Sequence, residues 1–134
     1  MKCLIFHCTK FVYRLDHATP VAESGEFPDS GSYENCLVAF IAIEKHDDDN
    51  SVRAATGELC DLCKNLKLNS LHLNPFAHLS SDLAKPKQAL SLLHSLRDGL
   101  RTSIASVSYS PFGWYKSFDM AIMAHNSSQL FRAF

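Results

Sequence analysis

The sequence predicts an α/β or α+β domain, a mixed β-sheet with its helices mainly on one face. Three observations carry this. Residues 36–43 (Cys-Leu-Val-Ala-Phe-Ile-Ala-Ile) form an unbroken apolar run bounded by polar residues, as expected of a central strand covered on both faces. Two later stretches, around residues 52–66 and 86–100, repeat their apolar residues at helical spacing. The order of strands, helix, strand, helix and strands then places the helices as crossovers on a mixed sheet.

Element by element, residues 2–8 are β-prone and residues 11–15 continue the run after Thr9-Lys10, which suggests a hairpin. Residues 17–34 are rich in Pro, Gly, Ser and acids without period and read as one long loop. After the central strand, Asp47-Asp48-Asp49-Asn50-Ser51 supplies a cap and first-turn acids for a helix running to about Leu66. Its stripe is Val52, Ala55, Leu59, Leu62 and Leu66. Residues 71–73 make a short strand, and Ser80 and Ser81 are expected to N-cap a turn of helix. Pro86 suits the first turn of a second helix with the stripe Ala89, Leu92, Leu93, Leu96 and Leu100. Residues 104–109 and 116–123 read as strands about a Pro111-Phe112-Gly113 turn. The tail, residues 125–134, is weakly patterned and leaves Leu130, Phe131 and Phe134 with nothing following to bury them. The expectation is a single domain over residues 1–134, the N-terminal part of a longer chain.

The 134 residues, 46% hydrophobic and 20% charged, suit one globular domain. A net charge of −1 excludes a long nucleic-acid footprint, so any RNA contact must be local. Five cysteines, an odd number, behind no secretory leader point to reduced thiols in a soluble, cytoplasmic protein. The 36–43 run is far short of the ~20 residues of a membrane span, so no membrane partner is expected.

Two segments concentrate the chemistry: Asn74-Pro75-Phe76-Ala77-His78-Leu79-Ser80-Ser81 and Ser110-Pro111-Phe112-Gly113-Trp114-Tyr115-Lys116. Each sets a rigid Pro-Phe turn at a strand end beside a reactive side chain. His78 stands where side chains project into crevices of α/β sheets, and either acts as acid, base or donor or ties down its own turn. Lys116, among aromatics, reads as a pinned recognition cation, a base of depressed pKa, or a solvated surface lysine. Cys60-Asp61-Leu62-Cys63 has metal or redox spacing but no second ligand pair, so a structural role is preferred. Cys3, His7 and Cys8 read as packing, and the Asp47–49 run lacks the glycine and closing glutamate of a calcium loop. There is no phosphate-binding glycine loop and no Gly-x-Ser-x-Gly elbow.

These two segments, extended by Leu83-Ala84-Lys85-Pro86 and Phe118, and supported by Leu37-Val38-Ala39-Phe40-Ile41 and a first strand reaching His7, resemble the N-terminal editing domain of archaeal threonyl-tRNA synthetases. The resemblance implies a D-aminoacyl-tRNA deacylase-like fold, a homodimer, and a pocket that receives the 3′ end of tRNA(Thr) carrying a seryl group. It implies hydrolysis of mischarged L-seryl-tRNA(Thr), sparing threonyl-tRNA(Thr), with water and a ribose hydroxyl of the tRNA assisting. No cofactor is expected, and with no complete ligand set in the sequence no metal is expected. Lys116 and His78 take the catalytic positions. Pro75, Phe76 and Ala77 form a backbone wall, Phe112 and Gly113 the facing turn, Trp114 and Tyr115 the entrance, and Ala42 and Ile43 the side facing adenosine or seryl group. Asn74 stands where family members carry tyrosine, and Trp114 replaces another. Gln129 falls where a glutamate can serve near the reacting water, and as a neutral amide it cannot act as a general base there. A separate or fused aminoacylation domain is implied. Other readings are a D-aminoacyl-tRNA deacylase, for which the expected Gly-Pro motif is absent, and a catalytically weak tRNA-binding or dimerisation module.

Overall fold

A computed structural model describes residues Met1 to Phe134. The elements are β1 (Lys2–Ala18), β2 (Ser30–Ala42), α1 (Asp49–Leu66), β3 (Ser70–Pro75), a single 3₁₀ turn (Ala77–Leu79), α2 (Pro86–Arg101), β4 (Ser106–Tyr109), β5 (Trp114–Ile122) and β6 (Gln129–Ala133). The sheet runs β4-β3-β2-β1-β5, with β6 also pairing β1. β2, β3 and β4 are mutually parallel, whereas β1 is antiparallel to β2, β5 and β6. The expected mixed sheet is therefore present, and β2 lies in its middle.

Both helices cover one face. Leu37, Ala39 and Ile41 of β2 and Leu71 and Leu73 of β3 meet Val52, Ala55, Leu59 and Cys63 of α1 and Ala89, Leu92, Leu93, Leu96 and Leu100 of α2 in one core. The opposite face holds a smaller core of Cys8, Phe11, Tyr13, Cys36, Val38 and Phe40. This two-sided burial is why residues 36–42 are apolar without alternation.

Four expectations need correction. Residues 2–15 are not a hairpin: β1 is one continuous strand, and its register against β5 shifts between Cys8 and Lys10. The bulge turns the strand over by one residue, so that Cys8 and then Phe11 and Tyr13 face the same small core. The long loop shrinks to residues 19–29, because Lys10 to Arg14 pair with Glu34 to Ser30. Ser80 does not cap a following helix. It ends the 3₁₀ turn, its N–H reaching Ala77 O at 3.3 Å, while its hydroxyl is given to the Glu44 carboxylate. The tail is not unpatterned: Gln129–Ala133 pairs with Lys2–Phe6, and Leu130 and Phe134 pack on the main core.

The helices follow their sequence logic. Asp48 caps α1, accepting from the N–H groups of Asn50 (2.8 Å) and Ser51 (3.2 Å), and Lys67 closes it in the left-handed region at φ 55°. In the stripe Cys63 is fully buried, with Leu62 and Leu66 at its margin. Every residue expected to line α2's inner face is buried there.

Candidate active site

The parallel strands β2, β3 and β4 end side by side, and the two Pro-Phe segments leave from the carboxyl ends of β3 and β4. In open α/β sheets such ends are where ligands enter. A cavity of about 400 Å³ opens there, in the size range of a small-molecule site. Its lining includes Ala42 and Ile43 beyond β2, Pro75, Phe76, Ala77 and His78 beyond β3, and Phe112, Gly113, Trp114, Tyr115 and Lys116 on the facing side. The structure thus brings these expected residues around one space. Gln129 is not among them. It is exposed at the start of β6, opposite Phe6.

Backbone fixes the walls. Phe76 N–H reaches Ile41 O at 2.8 Å and Ala84 N–H reaches Ile43 O at 2.9 Å, carrying the 75–84 segment along β2. On the other wall, Thr19 donates to Gly113 O through both its N–H (2.9 Å) and its hydroxyl (2.6 Å). Gly113 has φ +74°, and a Cβ there would meet Ala22 Cα at 2.6 Å, so only glycine lets the two segments touch. Glu23, 9% exposed, completes the clamp. Its carboxylate accepts from Phe112 N–H (3.1 Å) and from the Tyr109 hydroxyl (3.4 Å), and its own N–H reaches Phe112 O (3.1 Å). Glu23 lies in the stretch read as featureless loop, and nothing in its sequence context signals the role.

Lys116, on β5, donates from Nζ to Pro111 O at 2.7 Å. Burial pulls its pKa from 10.5 to about 8, against the opposing pull of the Glu23 carboxylate. It is therefore a cation at neutral pH, but a poorly hydrated one. His78 is exposed on the 3₁₀ turn at the rim, its ring edge-on to Phe76 at 5.2 Å. Tyr115, 57% exposed, stacks on His17 at 4.5 Å between centroids and stands at the mouth.

Beneath the cavity runs a buried polar seam that sequence reading did not anticipate. On adjacent strands His72 Nδ1 pairs with Ser108 Oγ at 2.9 Å, and the Ser110 hydroxyl donates to Asn74 Oδ1. His72 is held neutral, its pKa driven to about 3 by burial and by the Lys116 charge. Its ring lies among Phe11, Tyr13 and Tyr33.

All five cysteines are free thiols. Burial pushes Cys3, Cys36 and Cys63 up to about 12 and Cys8 to about 11, so none of these four is a thiolate nucleophile at neutral pH. No three His, Cys, Asp or Glu side chains are gathered as a metal would need. No helix is long and apolar enough to cross a membrane.

The mixed, curled sheet with two helices on one face is an α+β fold of the D-aminoacyl-tRNA deacylase-like kind. The fold is similar to that of the c-Myc DNA unwinding element binding protein, with a TM-score of 0.74 at 10% identity, covering 100% of this chain and 99% of that one. At sequence level, the family model for the archaea-specific editing domain of threonyl-tRNA synthetase matches residues 1–134, and the chain belongs to that family. Threonine–tRNA ligases of Methanococcus aeolicus (36% identical), Pyrobaculum aerophilum (34%) and Methanosarcina mazei (37%) align over 98%, 100% and 99% of this chain respectively. The chain spans 21–22% of the length of these relatives. It is an aminoacyl-tRNA editing domain, whose class of reaction is hydrolysis of a mischarged aminoacyl ester.

Proposed function

We propose that this chain hydrolyses L-seryl-tRNA(Thr) and spares threonyl-tRNA(Thr). The observation that carries the reading is the cavity itself, walled by the backbone of two Pro-Phe turns that Gly113, Thr19 and Glu23 lock in place. Serine differs from threonine by one missing methyl, worth roughly 1–3 kcal/mol in a binding pocket, so a second site that admits only the smaller side chain is needed. Walls of fixed backbone cannot yield to an extra methyl as flexible side chains can.

In the reaction a water oxygen bonds to the ester carbonyl carbon and the bond from that carbon to the ribose oxygen breaks. The ribose oxygen takes a proton, and serine and uncharged tRNA leave. Lys116 supplies a fixed positive charge for the aminoacyl group, and His78 at the rim orients the incoming 3′ end. A neighbouring ribose hydroxyl of the tRNA positions the water, which accords with a cavity lined by no serine or cysteine, the His72–Ser108 pair lying outside the lining. His78 and Lys116 are thereby recognition and positioning groups.

The domain acts as one unit over residues 1–134, working with an aminoacylation domain, fused or separate, in the cytoplasm. Two copies pair through exposed apolar side chains at the end of β5 and on β6, where Ile122, the following Met123, and Phe131 lie uncovered. A non-hydrolysable seryl-adenosine analogue added to crystals is expected between the two Pro-Phe turns, its aminoacyl end toward the interior. Occupancy elsewhere, or none at saturating concentration, contradicts the reading.

A further inference from the structure

We propose that Asn74 is a specificity-determining residue, its Nδ2 donating a hydrogen bond to the side-chain hydroxyl oxygen of the bound aminoacyl group. The proposal rests on the serine-editing reading above. Asn74 is 0% exposed and is among the residues lining the cavity, so its side chain lies just beneath the cavity surface at the inner end. Its register partner in β2 is Phe40, and its neighbour across β3–β4 is Ser110, also 0% exposed and fixed by its own N–H to Leu73 O at 3.0 Å. The Ser110 hydroxyl occupies Asn74 Oδ1, and Nδ2 has no partner. A buried donor left unpaired costs about 1–3 kcal/mol, and an acceptor brought by the ligand removes that cost.

Depth decides which ligand atom arrives. The mouth is marked by Tyr115, 57% exposed, and the floor by Asn74, so a 3′-terminal ester enters with its ribose at the mouth and its side chain inward. Elsewhere in the inner lining Ile41, Ala89 and Leu93 are apolar, and the Lys116 ammonium is already held at Pro111 O. The other unpaired donor in the lining is Trp114 Nε1, on the opposite wall at the first residue of β5.

Asn74 does not separate serine from threonine, since both carry a hydroxyl. It rejects side chains of similar size that lack one, because an alanyl group would leave Nδ2 unpaired. Steric exclusion of the methyl and demand for the hydroxyl are thus assigned to different residues: the backbone walls and Asn74.

The test compares kcat/KM of this chain on seryl- and alanyl-tRNA(Thr), for the wild type and for the near-isosteric Asn74→Leu. The wild type is expected to prefer the seryl ester about tenfold or more, and Asn74→Leu to lose about tenfold on the seryl ester with little change on the alanyl ester. Equal losses on both esters, or a preference abolished by Trp114→Phe and kept by Asn74→Leu, overturn the proposal. A readout that needs no variant is the wild-type affinity for non-hydrolysable seryl- and alanyl-adenosine analogues. Tighter seryl binding supports the assignment and equal binding overturns it. Absence of seryl-tRNA turnover in the wild type counts against the serine-editing reading, whereas turnover without a seryl-over-alanyl preference counts against Asn74 alone.

Discussion

In the proposed function Lys116 sets recognition against stability at a single side chain. Burial lowers its pKa to about 8, so the ammonium is present at neutral pH and is lost as pH rises through about 8. Binding of a non-hydrolysable seryl-adenosine analogue should therefore weaken above about pH 8, and titration calorimetry across pH 6–10 reads this directly (~ one inflection near the lysine pKa). The linkage sign for folding is opposite. A lysine whose folded pKa lies below its unfolded value costs stability while charged, and the cost disappears as pH rises from about 8 past 10.5. Lys116→Met is accordingly expected to lower seryl-tRNA turnover about tenfold or more while raising the denaturation midpoint slightly. Lys64→Met, on the exposed face of α1, should do neither. Equal effects of the two variants on turnover would remove Lys116 from the site.

At the scale of elements, the Pro111–Gly113 turn and the 19–23 segment act as one wall. Gly113→Ala would place a Cβ against Ala22 Cα and N at 2.6 and 2.8 Å, in a backbone region that L side chains rarely adopt. The expected loss is about 2 kcal/mol or more in urea unfolding, with turnover falling further than stability alone explains because the wall must move. Unchanged stability would show that the two segments are not clamped. The helices and the central strand were legible in the sequence because each carries a clean period or an unbroken apolar run. β1 was not, because the bulge after Cys8 interrupts the alternation as a turn would. β6 was hidden because its partner, the start of β1, lies more than a hundred residues away and its own pattern is short. The two Pro-Phe turns drew attention to the cavity that now lies between them, since rigid turns beside His78 and Lys116 have few packing explanations. Glu23 and His72 gave no signal: a buried polar residue looks in sequence like a loop or surface one, and only its neighbours across strands reveal its part.

Across the whole molecule, helices cover one face of the sheet, and Ile122, Met123 and Phe131, at the end of β5 and on β6, are left exposed. A second copy on this surface predicts a concentration-dependent dimer by sedimentation, shifted toward monomer by Phe131→Glu. A monomer at all concentrations would contradict the pairing. The near-neutral net charge leaves no extended electrostatic surface for nucleic acid, so any such contact is local. The central claim is that fixed backbone walls make a serine-sized site. Its most direct test is the single-turnover deacylation rate of seryl-tRNA(Thr) against threonyl-tRNA(Thr) with this chain in excess. Rapid loss of serine with threonine retained near the uncatalysed rate is the expected result, and equal rates on the two esters would contradict the account.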